Sequence, residues 1–130
     1  MNSVTLKFNY EFSRVYKRGT FFAGKYITVH VFRRYPGLKH NMTRIDPGIV
    51  RVGFCANKKQ LGAVGRNRAR RLMRESYRKL EHLIPEGTDI VFTLKNISEV
   101  PSYKDIEKDM IRGIKCLGLD ADKTDSGEDI

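Results

Sequence analysis

The stretch that most limits how this chain can fold is residues 57–83, NKKQLGAVGRNRARRLMRESYRKLEHL. Five arginines fall within the nine residues Arg66–Arg74, and Arg78 follows one turn later. The apolar residues between them keep a helical period. At about 100° per residue, Ala69, Leu72, Met73, Ser76, Leu80 and Leu83 share one face. Asn67, Arg71, Arg74 and Arg78 centre the opposite face, with Arg70 beside them and Arg66 and Arg68 at the flanks. A helix from Ala63 or Arg66 to Leu83 therefore buries one stripe and leaves the other cationic. Like charges at i,i+4 (Arg66/Arg70, Arg70/Arg74, Arg74/Arg78) cost about a few tenths of a kcal/mol each. Cations in the first turn also oppose the helix dipole. Only Glu75 and Glu81 relieve them. A face that is merely solvated gains from mixed signs, so this one is suited to a negative partner.

Arginine forks pair bidentately with phosphate oxygens and stack on bases, which lysines do less well. Asn67 adds a group that both donates and accepts. Lys58 and Lys59 stand just before the helix, where free backbone N–H groups also favour an anion. The expected contact is a nucleic-acid backbone crossing a strand end and a helix start, through Lys58, Lys59, Arg66, Asn67, Arg68, Arg70, Arg71, Arg74 and Arg78.

The whole chain agrees. Its 130 residues suit one domain, and its net charge is +10 with a pI near 9.8. Such a charge points to a polyanion. Residues 120–130 hold five acids against one lysine, net −4, so the rest carries +14. The expected organisation is a domain over residues 1–119 and an acidic, disordered tail over 120–130. The hydrophobic fraction of 40% allows a core, while a mean hydropathy of −0.48 implies a polar surface. The start, MNSVTLKFNYEF, has no apolar signal region, and no run is long enough to span a membrane. A cytoplasmic protein without a membrane partner is expected. Cys55 and Cys116 fit no metal spacing and read as buried free thiols of a reducing compartment.

Coarse secondary structure follows from period and punctuation. Asn9 is placed to cap a helix over Tyr10–Arg18 that Gly19 closes. Phe21–Phe22 forms a brief strand and Lys25–Arg34 a longer one. There Ile27, Val29 and Val31 point to a core, opposite Tyr26, Thr28, His30 and Phe32. Residues 35–48 read as a loop, Ile49–Asn57 as a strand and Asp89–Lys95 as a buried strand. Pro85-Glu86-Gly87 breaks the basic helix. Ser102 caps a last helix with apolar Tyr103, Ile106, Met110, Ile114 and Leu117, ended by Gly118. The class is α+β: a single-domain αβββαβα sandwich, with its helices on one side of the sheet.

Phe12 and Tyr16 on the first helix, with Tyr26, His30 and Phe32 on the strand, offer rings on which unpaired bases stack, worth about 1–3 kcal/mol per base. Core packing is the better reading of Phe12 and Phe32, and explains Tyr16 and His30 equally well. No catalytic or metal-ligating constellation stands out: His30, His40 and His82 are scattered, and nothing pairs Asp46 with Asp89. The residues themselves leave open a structural RNA-binding protein of ribosomal type, a helix-turn-helix regulator and an autonomous nuclease. Strands flanking the basic helix disfavour the second, and the lack of carboxylate or histidine clusters disfavours the third.

Gly53–Lys59 with its Gly-x-x-x-x-Lys-Lys spacing, Leu61-Gly62-Ala63-Val64, and the run Arg66–Glu75 resemble the signature of the protein subunit of bacterial ribonuclease P. Phe12-x-x-Val15-Tyr16-x-x-Gly19-Thr20 matches as well, and the resemblance spans roughly residues 6–118. His30 stands where a tyrosine is common. The resemblance implies a ribosomal-protein-S5-domain-2-like fold with a central mixed sheet packed by helices. It implies an RNA-binding protein cofactor of a ribozyme. The catalytic RNA subunit, one protein per RNA, would cut precursor tRNA with magnesium ions (Mg2+) held mainly by RNA and substrate. The cut is endonucleolytic hydrolysis that removes the 5′ leader and leaves the mature tRNA end. The protein alone would be inactive, with no catalytic or metal-binding residue of its own. By position, the cations named above would meet the catalytic RNA, and Phe12, Tyr16 and His30 would line a cleft for the single-stranded leader.

Overall fold

A computed structural model of the chain describes residues 3–34, 39–40, 43–44, 48–56, 61–95 and 99–119. Its elements run β1 (Ser3–Thr5), α1 (Asn9–Arg18), β2 (Thr20–Ala23), β3 (Ile27–Arg33), β4 (Lys39–His40), β5 (Thr43–Arg44), β6 (Val50–Ala56), α2 (Ala63–Leu80), β7 (Thr88–Leu94) and α3 (Tyr103–Cys116). A 3-10 turn over Glu81–Leu83 extends α2. Five strands form one mixed sheet in the order β1-β6-β7-β3-β2. The β1–β6 and β6–β7 pairs are parallel, and the β3–β7 and β2–β3 pairs antiparallel. β4 and β5 pair separately, so the expected loop 35–48 contains a short hairpin. Lys58, Lys59 and residues 120–130 lie outside the described residues.

Side-chain alternation divides the sheet into two faces. Ile27, Val29 and Val31 join Val50, Val52, Ile90, Phe92 and Leu94 on one of them. This face is covered by α2, through Ala69, Met73, Tyr77 and Leu80, and by α3, through Ile106, Met110 and Ile114. On the other face Leu6, Val15, Phe32 and Val91 form a smaller cluster with Phe12 and Cys55. That cluster seats α1. Helices therefore flank both faces, and the expectation of a single covered side is corrected. The apolar run of β7 required this, because Val91 and Ile90 point opposite ways and both are fully buried.

The expected core face of α2 stands, with one addition. Tyr77 is completely buried, one turn from Met73 and Leu80. Its hydroxyl meets Ser3 Oγ at 2.6 Å, and burial pushes its pKa up to about 12. Glu81 accepts the Ser3 N–H at 2.9 Å. These contacts fasten β1, whose three residues are too short to announce a strand in the sequence.

The start of α1 also differs. Asn9 is the first helical residue and not its cap. Glu11 instead takes the free N–H groups, with Oε1 accepting from Lys7 at 2.7 Å and Phe8 at 3.0 Å. Its other oxygen accepts from Arg51 at 2.6 Å. Arg51 also binds Asp89 through Nε at 2.9 Å and Nη2 at 2.7 Å. Arg34 pairs with the same Asp89 and donates to the Ile49 carbonyl at 2.6 Å. Asp89 is thus fully buried between two arginines. The β6–β7 register creates the site by setting Arg51 opposite Asp89. Burial alone would lower the Arg51 pKa, but the bonds to Asp89 and the nearby Glu11 charge hold it above its ordinary value. A buried charge needs such partners.

Candidate nucleic-acid interface

The basic helix begins without a side-chain cap and without an acid in its first turn. Its first N–H groups have no intrahelical acceptor. Gly62 precedes it in an extended conformation, so no side chain screens this end. Arg66 folds back onto the strand-to-helix turn, with Nη1 donating to the Leu61 carbonyl at 2.9 Å. Arg70 donates to Asn67 Oδ1 at 2.6 Å. Arg68 and Arg71 are exposed and, with Val64 and Asn67, line an open concavity of about 260 Å³. Val64 is 84% exposed, an apolar residue left bare beside the cations. Arg74 lies over the Phe54 ring, 5.6 Å from its centroid.

These residues form a continuous cationic surface over the first three turns. Arg78 continues it one turn past Arg74, about 6 Å along the axis. It borders a different cavity, of about 470 Å³, with Glu81 and Glu86. Those acids make it the least suited of the named arginines to a phosphate.

The second part of the site lies where α1 crosses the sheet. Gly53 allows the crossing, because a Cβ there would stand 2.5 Å from Phe12 Cε1. Phe12 therefore rests directly on β6, half-buried. One turn later Tyr16 keeps 41% of its surface exposed while its hydroxyl points at the sheet. It meets Thr93 Oγ1 at 3.1 Å and Cys55 Sγ at 3.8 Å. Burial of that oxygen raises its pKa to about 12, so it stays protonated. The Tyr16 ring is edge-on to His30, with centroids 4.7 Å apart. His30 stacks in turn on Phe21 at 5.5 Å and 24°. Phe21 is 63% exposed. His30 Nδ1 is buried without a hydrogen-bond partner among the described residues, and burial lowers the ring's pKa.

Tyr16 and His30 thus touch directly, while Phe12, one turn earlier on α1, packs against β6 and the small cluster beneath. Sequence reasoning missed Phe21, Cys55 and Thr93 around the Tyr16–His30 contact. Phe21 joins them because the β2–β3 register sets it opposite His30, which a strand of four residues gives too little alternation to show. Cys55 and Thr93 are neighbours through the β6–β7 register, which no local pattern reveals. Burial raises the Cys55 thiol, and the Arg70 charge opposes that rise. The basic helix and the aromatic cleft therefore come close at the end of β6.

Other side chains are placed as follows. Cys55 is half-buried, but Cys116 is exposed at the end of α3, which corrects its reading as a buried thiol. His82 is exposed. Among the described residues no group of three or more His, Cys, Asp or Glu stands where it would hold a metal ion. No described helix is long and apolar enough to cross a membrane.

Comparison with known proteins agrees with this geometry. Residues 1–118 match the family model described as Ribonuclease P. The chain is 35% identical over 114 residues to the ribonuclease P protein component of Clostridium beijerinckii, covering 88% of each chain. It is 36% identical over 111 residues to that of Clostridium novyi, covering 85% of this chain and 90% of the other. Its fold superposes on the RNase P protein of Staphylococcus aureus with a TM-score of 0.69 at 23% identity, over 88% of this chain and 95% of that one. For the Thermotoga maritima RNase P protein the TM-score is 0.64 at 22% identity, over 83% and 92%. A match along nearly the whole chain, to the family model and to relatives at more than 30% identity, places this protein in the ribonuclease P protein family.

Proposed function

We propose that the protein works as the RNA-binding cofactor of a ribozyme that removes the 5′ leader from precursor tRNA. Family membership makes it the protein part of an endoribonuclease complex that processes tRNA. Within that complex the arginine face takes phosphates of the catalytic RNA. The aromatic cleft takes the single-stranded leader, and the RNA performs the cut. Magnesium is held by RNA and substrate phosphates, with Arg68 and Arg71 neutralising nearby charge. Lys58 and Lys59 belong to the same corner in this reading.

The observation that carries the proposal is the Tyr16–His30–Phe21 row. Three interlocked rings, two of them well exposed, open a stacking surface beside a cationic helix. Unpaired bases stack on such rings whatever their sequence. The neutral His30 ring adds a polar edge within the row.

The test is differential binding. The complex of protein and catalytic RNA should bind precursor tRNA more tightly than mature tRNA. Tyr16→Ala should remove about 1–3 kcal/mol of that difference and leave mature tRNA binding intact. Equal losses for both substrates would contradict the assignment of the cleft to the leader.

A further inference from the structure

Helix α3 carries a second set of cations that the surface above does not use. Lys104, Lys108, Arg112 and Lys115 are all exposed. They stand four, four and three residues apart, so they form one stripe, with about 6 Å of rise between the first three. The carboxylates of α3 leave most of the stripe bare. Glu107 reaches Lys79 of α2 at 4.0 Å. Asp109 is 2% exposed, and its Oδ2 accepts the N–H groups of Tyr26 at 2.6 Å and Ile27 at 3.2 Å. Asp105 alone borders the stripe, in the first turn, where its charge suits the helix dipole.

Beside this stripe lies an open concavity of about 350 Å³. Tyr26 and Ile111 give it apolar walls, and Lys25, Lys108 and Arg112 stand around it with Asp105 and Asp109, the latter turned to the Tyr26 and Ile27 N–H groups. Lys25 Nζ is 5.3 Å from the Tyr26 ring centre, and the Arg112 guanidinium is 5.9 Å from that of Phe22. Rings under cations beside a row of positive charge are the ingredients of single-strand binding: phosphates along the row, bases on the rings.

Its position relative to the cleft identifies the strand. β2 is the edge of the sheet. Phe21 pairs with His30 on the cleft side, while the next residue, Phe22, pairs with Val29 on the α3 side. α3 comes close there because Gly113 lacks a side chain; a Cβ would stand 2.7 Å from Val29 Cγ2 and 3.1 Å from Phe22 Cδ2. A strand that leaves the cleft past Phe21 has only β2 to cross before it meets Phe22, Arg112 and Tyr26. We propose that the α3 stripe and the Tyr26 concavity form a second RNA-binding surface, which takes the upstream continuation of the leader. This rests on the leader reading of the cleft given above.

Leader length tests it. The protein, bound to catalytic RNA, is titrated with precursors whose leaders are about 4 and about 16 nucleotides long. The variant is Lys104→Gln/Lys108→Gln/Lys115→Gln, whose three lysines are exposed and do not threaten the fold. It should bind the long-leader precursor about tenfold more weakly, and the salt slope should fall by about 2. Its affinity for the short-leader precursor should not change, whereas Tyr16→Ala should weaken both. Equal effects of the lysine variant on both leaders would overturn the proposal. So would weaker binding of the catalytic RNA itself. If the stripe contributes only in a chain ending at Leu119, residues 120–130 occupy it in the full protein and the proposal fails. Failure of the cleft reading would look different: wild-type protein would not distinguish precursor from mature tRNA.

Discussion

Arg51 donates to Glu11 at 2.6 Å and so ties α1 to the middle of the sheet. The same guanidinium holds Asp89, and both its partners are buried. The aromatic cleft exists only while α1 keeps its position, so this ion cluster supports the site although it touches no RNA. Arg51→Met leaves Glu11 and Asp89 buried with fewer positive partners. The expected loss is about 3–5 kcal/mol, because unpairing a buried charge forfeits its compensation. Urea unfolding should show a lower midpoint with an unchanged slope. Wild-type stability in this variant would contradict the role given to the cluster.

Gly53→Ala tests the contact between α1 and β6 from the other side. The added methyl would stand 2.5 Å from the Phe12 ring. Overpacking of this kind costs about 1–3 kcal/mol, and it should displace Phe12 and weaken precursor binding more than mature tRNA binding. Replacing Phe12 by Leu in the same chain should recover part of the stability, a coupling that a double-mutant cycle measures. Independent, additive effects would mean that the two residues do not share the space.

The two halves of the site were legible in the sequence to different degrees. The arginine helix was readable because its pattern is local: period, charge and the Pro85 break all lie within one stretch. Ser102 was readable for the same reason, and its Oγ accepts the Asp105 N–H at 3.2 Å. The Glu11–Arg51–Asp89–Arg34 cluster was not, since its members come from α1, β6, β7 and the end of β3. Amphipathicity told that α1 buries Val15, but not which face of the sheet receives it. Phe21 hid in a strand of four residues, too short for its alternation to speak.

Arg68→Ala and Arg71→Ala should each reduce the salt dependence of binding to catalytic RNA. A phosphate contact contributes about 0.7–0.9 to the slope of log affinity against log salt. The double variant should therefore flatten the slope by about 1.4–1.8, measured by titration across a salt series. Arg78→Ala, beside Glu81 and Glu86, should change it less. A slope unaffected by loss of Arg68 and Arg71 would return them to solvent.

His30 makes stability depend on pH. Burial lowers its pKa from the ordinary value of 6.5. The unfolded chain then takes up the proton at higher pH than the folded one, so this stabilising contribution is present above pH 6.5 and is lost as pH falls through that range. Unfolding midpoints compared near pH 7.5 and about 5.5 should therefore separate wild type from His30→Phe. The variant should lose less stability on acidification. An identical loss in both proteins would show that His30 does not carry the effect.

The proposed division of labour is that RNA cuts, while this protein positions the substrate and neutralises its charge. Precursor tRNA cleavage at low magnesium measures it directly, with protein alone, catalytic RNA alone and the two together. The account predicts no cleavage by the protein, slow cleavage by the RNA, and a large acceleration for the pair that shrinks as magnesium rises. Cleavage by the purified protein without RNA, or no acceleration of the RNA by the protein at low magnesium, would contradict it.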